Sequence, residues 1–192
     1  GVLMALEDVV SAEFLADQAA HSFGPSYGSY LYGDRQWALP IDAATPVASW
    51  RPDLLEGAGV AEPRTWEELL ELAQRGLVIM PGIAQDTIMN FYMFCELPGS
   101  DLFASDEVVV SDETGIMALE RMRELSSLMP REIFDWNPIA VYEAMTRGDD
   151  YAYCPWAYGY SNYARAGYSR ATLHFGDVVS LDGVPLRTTL GG

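Results

Sequence analysis

The run Pro63-Arg64-Thr65-Trp66-Glu67-Glu68-Leu69-Leu70 constrains this chain more than any other stretch. Thr65 is placed to accept from the amide of Glu68 while the Glu68 carboxylate reaches back to the Thr65 amide, a capping box that starts a helix. Leu69, Leu72 and Ala73 give that helix an apolar stripe, and Gly76 supplies its left-handed stop. Leu77-Val78-Ile79-Met80 follows at once and is apolar throughout, so it reads as a short buried strand ended by Pro81-Gly82. A capped amphipathic helix feeding a wholly apolar strand is the unit from which α/β folds are built.

The rest of the chain continues this alternation. Ser11 caps a helix over Glu13 to about Ala20, a Gly/Ser/Tyr-rich loop spans Ser22 to Gly33, and Gln36 to Ile41 reads as a strand. Pro40 places that strand at an edge or a crossing point. Asp86 to about Glu96 is helical and mostly apolar. Asp112 to Met129 is a second amphipathic helix with Leu119, Met122, Leu125 and Met129 on one face. Asn137-Pro138 opens a helix that Gly148 closes, and Tyr151–Cys154 and Thr172–Phe175 read as strands. The expectation is an α/β fold with a mixed sheet flanked by helices.

Charge narrows the function. Twenty-eight carboxylates face eleven cations, all arginine, for a net charge of -17 over 192 residues. Such a field repels phosphate backbones and anionic lipid, so nucleic acid is excluded as a partner. No apolar run approaches the roughly 18 to 20 residues of a membrane span, so direct membrane insertion of this segment is excluded too. His21, His174, Cys95 and Cys154 are too scattered to form a metal site, and neither a metal nor a cofactor is expected. Cys95 and Cys154 read either as one disulfide of an exported protein or as two buried thiols. The ends, without an initiator Met and stopping on Leu190-Gly191-Gly192, read as those of a segment of a longer protein.

Seven of the 23 aromatic residues fall between Tyr151 and Tyr168, including Trp156, Tyr158 and Tyr160 beside Pro155 and Gly159. Rings at a strand's end suit stacking on the apolar face of a sugar, and equally suit an aromatic core. Asp42 and Asp86 each stand where a strand gives way to a loop, the place where open α/β sheets bind ligands. Gly24-Pro25-Ser26-Tyr27-Gly28 matches the pattern of a hydrolase nucleophile elbow but lacks the strand before it and the helix after it. The neighbouring acids Glu67-Glu68 and Asp149-Asp150 fit a helix first turn and a surface turn, not a catalytic pair.

Three blocks together resemble a known family: Trp37-Ala38-Leu39-Pro40-Ile41-Asp42-Ala43-Ala44, Arg51-Pro52-Asp53-Leu54-Leu55, and Pro63 to Leu69. In this order they resemble the solute-binding proteins of ABC importers, in the carbohydrate-binding group that includes the maltose-binding proteins. Cys154-Pro155-Trp156-Ala157-Tyr158 is similar to that group's G-P-W segment, and Arg187 to Gly192 to its strand returning to the first lobe. The resemblance implies one lobe of a two-lobed periplasmic-binding-protein-like fold (type II). Residues 1–44 would be a first-lobe remnant with the hinge-crossing strand, 45–185 the second lobe, and 186–192 the return strand. It further implies a non-enzymatic receptor, extracellular or periplasmic, lipid-anchored or secreted, that closes on a sugar or polyol and delivers it to a permease. Trp156 falls on the family's stacking aromatic, Tyr158 and Tyr160 beside it. Gln85 and Asp86 fall in a ligand-contacting loop, and Asp42 in the crossing segment. Cys154 stands where the maltose-binding proteins have glycine, and Ala44 where they carry an acid, so the resemblance does not extend to maltose itself. The alternatives are a carbohydrate-active hydrolase using paired carboxylates and an interaction domain with an aromatic core.

Overall fold

The computed structural model describes residues 2–96, 102, 103, 105 and 107–189. Residues 2–45 form one compact unit and Pro46–Thr189 another. In the first unit α1 (Ala12–His21) is capped as its sequence requires, with Ser11 Oγ accepting from the Phe14 amide at 3.1 Å. The expected strand over residues 36–41 is not formed as such. Strand pairing is limited to the hairpin β1 (Leu31–Tyr32) and β2 (Arg35–Gln36), and residues 37–40 run irregularly. Gln36 is instead fixed sideways: its amide donates to Glu7 and its carboxamide to the carbonyls of Tyr27 and Ala38, each at 2.8 Å.

The second unit is built on a three-stranded antiparallel sheet, β4–β3–β5, from β3 (Pro46–Trp50), β4 (Tyr153–Tyr158) and β5 (His174–Gly176). Leu77–Ile79 joins its free edge in parallel: Val78 bridges Tyr153, and the Ile79 amide donates to the Tyr153 carbonyl at 3.0 Å. The sheet is therefore mixed, and the α/β class read from the sequence stands. Pro155 sits mid-strand in β4, where it has no N–H to give. The register between β3 and β4 shifts there, with Val47 opposite Ala157 and Ser49 opposite Cys154, so a bulge absorbs the missing donor.

Five helices pack on this sheet: α2 (Pro52–Ala58), α3 (Trp66–Gln74), α4 (Ala84–Cys95), α5 (Asp112–Ser126) and α6 (Pro138–Arg147). Both halves of the capping box are made at α3, Thr65 Oγ1 accepting from Glu68 N and the Glu68 carboxylate from Thr65 N, each at 3.3 Å. Gly76 takes φ +75°, the left-handed stop expected of it. Asn137 caps α6 with Pro138 in its first turn. On α5 the expected stripe is met in part. Leu125 and Met129 are buried and Met122 half-buried as expected, but Leu119 is 58% exposed, and Gly115 and Ala118 join the buried face in its place. A Cβ at Gly115 would meet Val110 and Phe91 at ordinary contact distances of 3.6 and 3.9 Å.

At the C-terminal end of the chain, the hairpin β6 (Ser180–Leu181) and β7 (Val184–Pro185) docks on residue Arg64, whose carbonyl accepts from the Ser180 amide at 2.9 Å. Arg187 to Thr189 form no strand, and the remainder of the expected return strand, residues 190–192, lies outside the described residues. Among the described residues no helix is long and apolar enough to cross a membrane.

Candidate ligand-binding site

β4 carries the densest chemistry. Trp156 is 1% exposed: its ring lies parallel to that of Trp66 at a centroid distance of 6.4 Å, and edge-on to Phe94 at 5.4 Å. Among the described residues its indole N–H is buried without a hydrogen-bond partner. Read from the sequence as a stacking platform, Trp156 is packed here against Trp66 of α3 and Phe94 of α4. Tyr158 is the last residue of the strand. It is half-buried, and its hydroxyl lies 3.4 Å from Thr189 Oγ1. Tyr160 is 44% exposed and rests edge-on against Tyr142. The Tyr142 hydroxyl donates to the Tyr158 carbonyl at 3.2 Å, which fixes the end of the strand from below.

Asp86 and Gln85 occupy the first turn of α4. Gln85 is exposed, whereas Asp86 is buried. The Asp86 carboxyl makes no hydrogen bond among the described residues, and burial alone pushes its pKa up. Its charge is felt at Cys154, which locates it beside the start of β4. One helical turn on, Asn90 is buried to the same degree. The sequence reading missed Asn90, although a polar residue four positions after an acid in an otherwise apolar helix is a visible signal.

The raised Asp86 carboxyl has a sign that can be checked. The native state holds its proton to a higher pH than the unfolded chain, so this group lowers stability as pH rises from about 4 through the native pKa. Asp86→Asn is expected to remove that slope and to raise stability at pH 7 by on the order of 1 kcal/mol. Urea unfolding at pH 4 and pH 7 reads it; an unchanged slope would show that water, not protein, surrounds the carboxyl.

Asp42 belongs to the first unit, where it is exposed and lines a small concavity with His21 and Ser22. Ser26 does not serve as a nucleophile. It is 3% exposed and its hydroxyl donates to the Phe23 carbonyl at 2.7 Å, closing a turn. The acid pairs are likewise committed: Glu68 to the capping box, and Asp149 to Arg51 and Arg170. Among the described residues no three His, Cys, Asp or Glu side chains come together to hold a metal ion. Cys95 and Cys154 are both buried free thiols, and burial pushes Cys154 up to about 12.

No protein-family model matches the chain, and no curated protein matches it in sequence. Solved structures do match in fold. Maltose-bound MalE3 of T. maritima superposes with a TM-score of 0.76 at 20% identity, covering 99% of this chain and 51% of that one. An ABC transporter solute-binding protein from Agrobacterium radiobacter K84, in complex with ribitol, gives 0.72 at 20% identity, with coverages of 99% and 51%. A solute-binding protein from Thermotoga lettingae TMO, bound with alpha-D-tagatose, gives 0.74 at 19% identity, with coverages of 99% and 52%. The chain spans about half the length of these structures. Its fold is thus that of a periplasmic-binding-protein-like lobe. More narrowly, it is the fold of the maltose-binding-protein-like solute-binding proteins of ABC importers.

Proposed function

We propose that this chain is a ligand-binding part of the substrate-binding component of an ABC importer, taking a sugar or polyol. The observation that carries the reading is the fold match over 99% of the chain to proteins holding maltose, ribitol and alpha-D-tagatose. Residues 1–44 belong to the first lobe, 45–185 to the second, and 186–192 to the segment leading back to the first. Tyr158 and Tyr160 are the amphipathic wall of the second lobe. Asp86 and Gln85, with Asn90, meet ligand hydroxyls there, and Asp42 does so in the first lobe. Trp156 supports that wall from behind, through Trp66 and Phe94. The chemistry is recognition only. Hydroxyls are bound, lobe closure by a hinge presents the loaded form to a permease, and the ligand leaves unchanged. The protein works outside the cytoplasmic membrane, in the periplasm or the extracellular space.

Saturation-transfer NMR on this chain with ribitol, tagatose and maltose tests the reading. Weak, millimolar binding of at least one is expected, with Tyr158 and Tyr160 resonances among those perturbed. Absence of transfer to all three would overturn it. Turnover of a chromogenic glycoside, lost in Asp86→Asn, would favour the hydrolase instead.

A further inference from the structure

The first unit contains a concavity of about 250 Å³ lined by Gln18, His21, Ser22, Phe23, Ser26 and Asp42. Local chemistry builds its wall. At the end of α1, His21 Nδ1 lies 2.9 Å from the Asp17 carbonyl and 3.1 Å from its carboxylate, and the Ser22 hydroxyl donates to the Gln18 carbonyl at 2.7 Å. Gly24 then takes φ +53°, a left-handed turn that the Ser26 hydroxyl closes on Phe23. With Nδ1–H committed to Asp17, a neutral His21 ring keeps Nε2 as an acceptor. Both serines have spent their protons on carbonyls and retain lone pairs. The Asp42 carboxylate and the Gln18 carboxamide make no hydrogen bond among the described residues. The wall is therefore rich in acceptors, with Gln18 as its free donor and no cationic side chain facing it from lysine or arginine.

An acceptor-rich wall containing a carboxylate selects a ligand rich in donors and disfavours an anion. Phe23 adds a large ring that is 72% exposed at the rim of this polar hollow. The volume falls below the roughly 300 to 1,000 Å³ of pockets for drug-sized molecules, so one small unit fits rather than a chain.

We infer that this concavity is a subsite for a single monosaccharide or short polyol unit. Phe23 stacks on its apolar face, Asp42 and Ser22 accept from its hydroxyls, and Gln18 donates. The inference rests on the sugar-binding reading above, and it gives the stacking role to Phe23, the residue just before the Gly24–Gly28 segment.

The chain has two histidines, so the imidazole signals of His21 are resolved from those of His174 once His21→Gln identifies them. Titration with ribitol or tagatose is expected to shift the His21 signals and leave those of His174 in place. Phe23→Ala and Asp42→Asn should each weaken binding about tenfold, whereas Phe23→Tyr should keep it. Because Phe23 and Asp42 are exposed, the unfolding midpoint should not move in any of these variants. Binding with an unshifted His21, or wild-type affinity in Phe23→Ala, overturns the subsite while leaving sugar binding intact. A lowered unfolding midpoint with unchanged affinity in Phe23→Ala makes the ring a packing group and also overturns it. No binding by any of the sugars overturns the functional reading itself.

Discussion

Replacing Trp156 by alanine is expected to cost about 3–5 kcal/mol of folding stability, the range for deleting a buried large aromatic. The ring sits at the meeting point of three elements: β4, which carries it, α3 through the parallel Trp66, and α4 through the edge of Phe94. Its removal would leave Trp66, itself 1% exposed, facing a void, and the aromatic contacts would be lost beyond the buried area. Trp156→Phe should recover much of the loss, because it refills most of the volume and leaves no unpartnered indole N–H behind. Urea denaturation checks this directly. A stability change below about 1 kcal/mol together with lost sugar binding would restore the ring to an open platform.

Arg51→Ala is expected to have a comparable effect for an electrostatic reason. Its side chain is 4% exposed and every nitrogen is engaged. Nε and Nη2 hold the Asp53 carboxylate at 2.8 and 2.6 Å. Nη1 donates to the carbonyls of Met145 and Gly148 at 2.7 and 3.0 Å, and Nη2 also reaches Asp149 at 3.0 Å. One guanidinium thus ties the end of β3 to the start of α2 and to the end of α6. Asp53 and Asp149 are mostly exposed and stay hydrated without it, so the loss falls on the Met145 and Gly148 carbonyls, at about 3 kcal/mol for two charge-assisted bonds. Arg51→Lys should recover only part, because an ammonium cannot serve this fork. The hydrogen bond from Arg51 holds the Asp53 carboxyl below its ordinary range; Asp149 is held down first by Arg170 and then by Arg51. Stability from these two acids is present above about pH 4 and is lost as pH falls through their lowered native values. In Arg51→Ala the acid side of the pH–stability curve should flatten. An unchanged acid limb would mean that Arg170 alone holds the carboxylates.

The local signals were legible where their chemistry is contained within a few residues. Thr65 and Glu68 make the box they spell, Ser11 and Asn137 cap their helices, and Gly76 stops α3. The strand β3 was not legible: Pro46-Val47-Ala48-Ser49-Trp50 has small residues at its centre and no alternation, and only pairing on both sides makes it a strand. On α5 and just beyond it, Leu125 and Met129 turn inward as their spacing suggests, whereas Leu119 is exposed and Gly115 and Ala118 share the buried face, which is set by the packing of α5 on α4.

The candidate site divides in the same way. Its residue types could be read from the chain: Asp42, Gln85 and Asp86, and the aromatic sequence through Trp156, Tyr158 and Tyr160. Which ring faces out could not, because that depends on Trp66 and Phe94, residues 90 and 62 positions away from Trp156 in sequence. The burial of Asp86 and Asn90 likewise needed the sheet against which α4 packs. The sequence by itself determined the class of fold, the capped starts of α1, α3 and α6, and the acidic, lysine-free character that disfavours anionic partners. The tertiary structure alone decided which of the aromatic and acidic side chains are core and which are free to meet a ligand, because burial is set by contacts between segments far apart in the chain.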